Sequence, residues 1–264
     1  MKKEAAEVKK REPVRRKQTL RVLYLQLLAV LGGVIGTVLH RMVLQYGMDE
    51  KELLIPNCPP YLALWIVLLG GLAGLAILST KVGTESGYKA NFPASIPAAA
   101  ALVATGALFG VSSVMTLLEK SGDGIHKAGS ILGLAAAAAL VIWGVYRISG
   151  KKPAQWLGLA PCAYLVVLLI DHFRMWGRDP QIADYCFLLL SYVFAMLASF
   201  HLGGFALGEG YRRRSLFYAA GTVLLSVASL PTGDLVQTLH IVGLILWFLV
   251  GGPADLPKEK NPEL

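Results

Sequence analysis

Charge is scarce in this chain, and it is missing where it would matter most. Only 16% of the 264 residues are Asp, Glu, Lys or Arg, and the long apolar stretches carry none near their middles. Ionisable groups deep in a membrane segment usually mark ion or proton routes, so their absence counts against a proton-coupled pump or a carrier holding a charged substrate at mid-membrane. Cysteine is sparse too: Cys58, Cys162 and Cys186 are too few for a disulfide framework. Cys162 falls inside an apolar stretch as a small filler. Cys58 and Cys186, each at the start of a stretch, are the one pair an oxidising exterior could join. The familiar catalytic patterns are absent: there is no HExxH, GxSxG or Walker lysine loop, and no paired-aspartate motif. "GEGYRRR" follows an apolar helix rather than a strand and lacks the Lys-Ser/Thr pair of a phosphate loop, so it reads as a basic stop at a membrane surface. The histidines lack the spacing of a specific metal or haem site. No catalytic residue, metal ligand set or cofactor is expected from the sequence, and an enzyme is the least favoured reading.

What is abundant is apolar length. Hydrophobic residues make up 55% of the chain and mean hydropathy is +0.56, well above an ordinary soluble domain. The apolar blocks are each long enough, or nearly so, to cross a hydrocarbon core of about 30 Å as a helix. Segments of alternating polarity, as in a membrane β-barrel, do not occur. The expected fold is an all-α integral membrane protein, a polytopic bundle of about eight transmembrane helices. The spans are placed at 20–45, 61–80, 94–118, 129–147, 156–173, 182–207, 215–230 and 235–250. They form one domain, 20–250, between a basic tail at 1–19 and a C-terminal tail at 251–264. The last two spans are short, and "LPTGDL" between them holds the Pro, Gly and Asp of a turn at a polar surface.

Basic residues orient the bundle. With eight spans, 19 of the 25 Lys and Arg fall on the side of the two termini, which the positive-inside rule assigns to the cytoplasm of a cell-membrane protein. The net charge of +8 is thus mostly a topogenic label, with anionic lipid headgroups as the expected contact. The basic regions are not interleaved with aromatics, so no nucleic-acid partner is expected.

Two patterns suggest how the helices assemble. The second four spans overlay on the first four: "VLHRMVLQYG" falls on "LIDHFRMWG", each followed by an acidic, Pro-containing loop and a Tyr-led span. A parallel four-plus-four internal repeat follows, with a pseudo-twofold axis along the membrane normal. Glycines four apart recur at Gly32/Gly36, Gly70/Gly74, Gly106/Gly110, Gly129/Gly133 and Gly204/Gly208, the small-xxx-small spacing that lets helix backbones approach. These faces serve packing within the chain, a homodimer or a partner membrane subunit.

Polar groups gather at one end. His40, Arg41, His126, Asp171, His172, Arg174, Asp184 and His240 all map to the extracytoplasmic third. From these, His40, Arg41, Asp171, His172, Arg174 and His240 form the expected outward-facing ligand site, with Asp171 and Arg174 three apart on one helix face and able to pair. The alternative is a belt of interfacial anchors. Empty span centres and glycine faces favour a non-enzymatic membrane subunit or scaffold, which is the function expected from the sequence. The repeat and the polar outer rim favour a transporter or permease-like protein for a neutral or lipidic solute. A membrane enzyme acting on lipid, or using the outer histidines, comes third.

Overall fold

In hydrocarbon every backbone N–H and C=O must be satisfied within the segment, so an apolar block of this length becomes a helix. The computed structural model describes residues 2–49, 53–55, 58–84, 86–119, 124–177 and 182–253, with side chains described from residue 18 onward except 176 and 182–184. The Asp184 side chain, those of the basic tail and most of the C-terminal tail therefore lie outside the described residues.

The elements are α1 (Lys2–Tyr46), α2 (Pro59–Thr80), α3 (Tyr88–Asn91), α4 (Ile96–Leu118), α5 (Gly124–Ser149), α6 (Trp156–Trp176), α7 (Ile182–Leu207), α8 (Arg212–Ala228) and α9 (Leu235–Leu246), the last running into a π-helical turn at Trp247–Gly251. No strand occurs among the described residues beyond one isolated antiparallel bridge, Met48 to Leu54. Six helices are long and apolar enough to cross a membrane: α1 from Gln18, then α2, α4, α5, α6 up to Met175, and α7 from Tyr185. This is an all-α bundle with the makings of a multi-pass membrane protein. Leu235–Gly251 is a shorter apolar helix, and α8, at 17 residues, is also short.

Local chemistry sets the ends. Pro59 and Pro60 open α2 where a missing N–H costs nothing, and Pro97 does the same for α4. Pro97 therefore does not interrupt a span. The Ser95 hydroxyl caps α4 by accepting from Ala98 N. Gly208, at φ +88°, ends α7 in the left-handed conformation open to glycine. Helix α1 already begins at Lys2, through residues with good helix propensity, and its apolar part begins at Gln18.

The helix at the centre is α8, buried along most of its length and packed against α1, α2, α7 and α9. Small residues make this placement work. A Cβ added at Gly33 would stand 2.7 Å from Val227 Cβ, and one at Gly36 would stand 2.9 Å from Ala228 Cβ, so α1 reaches the α8 backbone only through these glycines. The same logic joins α4 and α5, where a Cβ at Gly106 would lie 2.8 Å from the Ala137 carbonyl. Contacts do not display a twofold pattern among the described residues. Helix α1 lies along α8, whereas α6, its counterpart in a four-plus-four repeat, packs between α5 and α7 without a comparable seam to α4.

At the end where α1 begins, α3 closes the bundle, an element the hydropathy pattern did not mark. Trp143 Nε1 donates to the Tyr88 hydroxyl at 3.1 Å, Arg212 donates to Asn91 Oδ1 at 3.0 Å, and the Arg147 guanidinium sits 4.9 Å over the Phe92 ring. Both arginines are about 1% exposed.

Candidate functional site

The opposite end, where α1 finishes and α2 starts, holds a cavity of about 110 Å³ formed by the end of α4, the start of α5, the end of α6 and the start of α9. Three of these helices contribute polar residues at helical spacing. On α4 these are Ser112 and Thr116, with Glu119 just past its end; on α6, Tyr164 and Asp171 share a face with Leu168 between them; on α9, Gln237 and His240 stand three apart.

The deep part is centred on His240, which is buried. The Tyr164 hydroxyl meets its Nε2, and Ser112 Oγ lies 3.1 Å from the same nitrogen while also donating to the Phe109 carbonyl. The Phe109 ring packs against both, 5.6 Å from Tyr164 and 5.4 Å from His240. With the tyrosine donating to Nε2, the ring's proton falls on Nδ1. That atom is buried and faces the Val236 carbonyl one turn back without meeting it in hydrogen-bond geometry. Ser113 Oγ, also lining the cavity and buried, stands near the Tyr164 hydroxyl without meeting it in good hydrogen-bond geometry. Buried polar groups are almost always satisfied, so the floor presents hydrogen-bonding capacity that the protein itself does not use.

The wall is ionic. His126 Nδ1 donates to Asp171 Oδ2 at 2.8 Å, and its Nε2 lies 3.5 Å from Glu119 Oε2, so one imidazole ties α5 to both α6 and α4. Asp171 is buried, while the Glu119 side chain is 55% exposed. At the rim, Asp234 caps α9 by accepting from Gln237 N at 2.7 Å, and the Gln237 side chain accepts in return from Asp234 N. His172 lines the cavity as well, its Nδ1–H donating to the Leu168 carbonyl at 2.8 Å. Its ring lies 5.4 Å from that of Tyr192. Among the described residues no group of three or more His, Cys, Asp or Glu is arranged to hold a metal ion.

Of the six residues expected to form a site, three line this cavity: Asp171, His172 and His240. His40 lies elsewhere. It is buried in the α1–α8 seam, where Nδ1–H donates to the Ala228 carbonyl at 2.8 Å and the ring meets Phe187 edge-on. Arg41 is exposed on the outer face of α1. Arg174 stands on another face of α6, at an apolar groove of about 640 Å³ bordered by Tyr61, Trp65 and Phe173. Asp171 therefore turns to His126 on the neighbouring helix, not to the cation one turn along its own. His126, Glu119, Asp234, Tyr164 and the two serines were not assigned to a site from sequence. The polar stripe on α4 was the available signal for some of them. Cys58 and Cys162 carry free thiols, Cys58 is buried and Cys186 is half-buried.

No family model, curated protein or solved structure matches this chain.

Proposed function

We propose that the protein is a permease-like, multi-pass protein of the cell membrane that admits a small polar solute from the outer face into the cavity around His240. The observation that carries this reading is the cavity floor, where Ser113 Oγ and His240 Nδ1 are buried without a well-aligned partner beside a space large enough for a few heavy atoms. A purely structural crossing of helices gains by satisfying or removing such groups. Eight crossings, with α8 and α9 as the short last pair and both termini cytoplasmic, put the cavity mouth outside.

Two of the helices around the cavity, α6 and α9, are also irregular. Pro161 interrupts α6, and Ser199 of α7 donates to the Gly158 carbonyl in the turn before it. Below His240, α9 loosens into the π turn Trp247–Gly251, where Gln26 of α1 donates to the Leu249 carbonyl. Membrane helices tolerate such breaks where neighbours re-satisfy the backbone, and π turns concentrate at functional sites.

A membrane subunit or scaffold is the second reading. It is favoured by α2, whose Leu62, Ile66 and Leu69 are exposed and whose Gly70 has nothing within 4 Å.

The test uses full-length protein with its three cysteines replaced by alanine. In Thr116→Cys and Gln237→Cys, a small neutral methanethiosulfonate added outside intact cells is expected to modify both positions. Failure at both, with Tyr46→Cys at the same end reacting normally, would refute an outward-open cavity.

A further inference from the structure

Resting on the reading of an outward-open cavity, we infer that its ligand is a small organic cation: an amine that also carries a neutral hydroxyl or carbonyl group. The two chemistries are separated along the cavity. The wall and rim carry Glu119, Asp171 and Asp234, three carboxylates at the ends of three different helices. The only cationic candidates among the cavity's described lining residues are His126, His172 and His240. One of these, His126, is already spent between Asp171 and Glu119. A cleft lined by one sign of charge between low-dielectric walls focuses its field and raises the local concentration of the opposite ion. At the floor the groups without a well-aligned partner are a serine hydroxyl and, with Tyr164 donating to Nε2, an imidazole N–H, which fit a neutral oxygen and not a second positive charge.

Size narrows the class. A cavity of about 150 Å³ holds a benzene molecule, so about 110 Å³ admits a ligand somewhat smaller. A phospholipid headgroup with the same ammonium would bring a phosphate into contact with the three carboxylates, which disfavours it; the free amine is the occupant.

Capping does not explain all of the acidity. Asp234 serves α9 as N-cap through Oδ1, a role asparagine fills equally well. Its charge is therefore separable from its structural work.

The experiment compares methanethiosulfonates of similar size on Thr116→Cys in the cysteine-free, full-length protein: aminoethyl (cationic), sulfonatoethyl (anionic) and ethyl (neutral). Rates are normalised to Tyr46→Cys at the surface. The expected cation-to-anion rate ratio exceeds that at Tyr46→Cys by about tenfold or more, and falls toward the surface value in Glu119→Gln/Asp234→Asn. Ethanolammonium chloride is expected to slow modification of Thr116→Cys at a concentration where sodium chloride of equal ionic strength does not. If the neutral reagent enters but the anion reacts as fast as the cation, or ethanolammonium gives no protection, the cation assignment is overturned while the cavity reading stands. If the neutral reagent also fails to enter, the cavity reading falls and this inference with it.

Discussion

Histidines in the same third of the molecule do different things, and neighbours a helix away decide which. His40 Nδ1–H satisfies the Ala228 carbonyl at the end of α8, a group that has no partner within its own helix. His40→Leu is expected to cost about 1–3 kcal/mol by orphaning that carbonyl. Arg41→Ala next to it, on an exposed face, is expected to stay within about 0.5 kcal/mol; thermal denaturation in detergent measures both. His126 is the cross-brace of the cavity wall, so Asp171→Asn is expected to lower the melting temperature and to loosen α5 from α6, seen as faster amide exchange at the start of α5. At the other end, burial of Tyr88 on α3 raises its hydroxyl above the usual tyrosine value, the Trp143 bond and the Arg147 charge pulling back in part. The folded chain then keeps this proton longer than the unfolded chain. The stability it contributes is complete below about pH 10 and is lost as pH rises through the folded value. Tyr88→Phe is expected to flatten the alkaline limb of the stability profile, and an unchanged limb would assign that loss to another group.

Among elements, α8 holds the bundle together because Gly32, Gly33 and Gly36 of α1 put no side chain between the two helices where they meet Leu224, Val227 and Ala228. Gly106 and Gly110 show how one glycine pair divides: a Cβ at Gly106 would press the Ala137 carbonyl at 2.8 Å, while at Gly110 it would meet Ala137 Cβ at an ordinary 3.6 Å. Gly106→Ala is expected to destabilise by about 1–3 kcal/mol through overpacking, and Gly110→Ala to be tolerated. Equal melting temperatures for the two variants would show that the α4–α5 crossing relaxes more easily than its geometry implies. The helices themselves were legible from hydropathy to within a few residues at most ends, because apolar length and flanking Pro or Gly act locally. The short α3 was not, since a four-residue helix held by Trp143, Arg147 and Arg212 has no periodicity of its own.

For the molecule as a whole, sidedness is the property that the cavity reading needs. The 19-to-6 division of basic residues leads to the expectation that Met48→Cys reacts with a membrane-impermeant maleimide added to intact cells and Lys151→Cys does so only after permeabilisation; the reverse pattern would turn the cavity mouth inward. Composition alone determined that this chain is helical and rich in membrane-length segments, because the backbone in hydrocarbon has few ways to satisfy itself. It also marked the polar end, because charged residues cluster where apolar runs stop. Only the tertiary structure decided which of those polar residues meet. Asp171, His172 and His240 come together with Glu119, His126 and Tyr164 because the ends of α4, α5, α6 and α9 converge. His40 and Arg41, so similar in sequence to the residues at the end of α6, are separated from them because α1 is drawn to α8 by its glycines. Helix neighbours are chosen by close packing among residues far apart in the chain, and no local pattern records that choice.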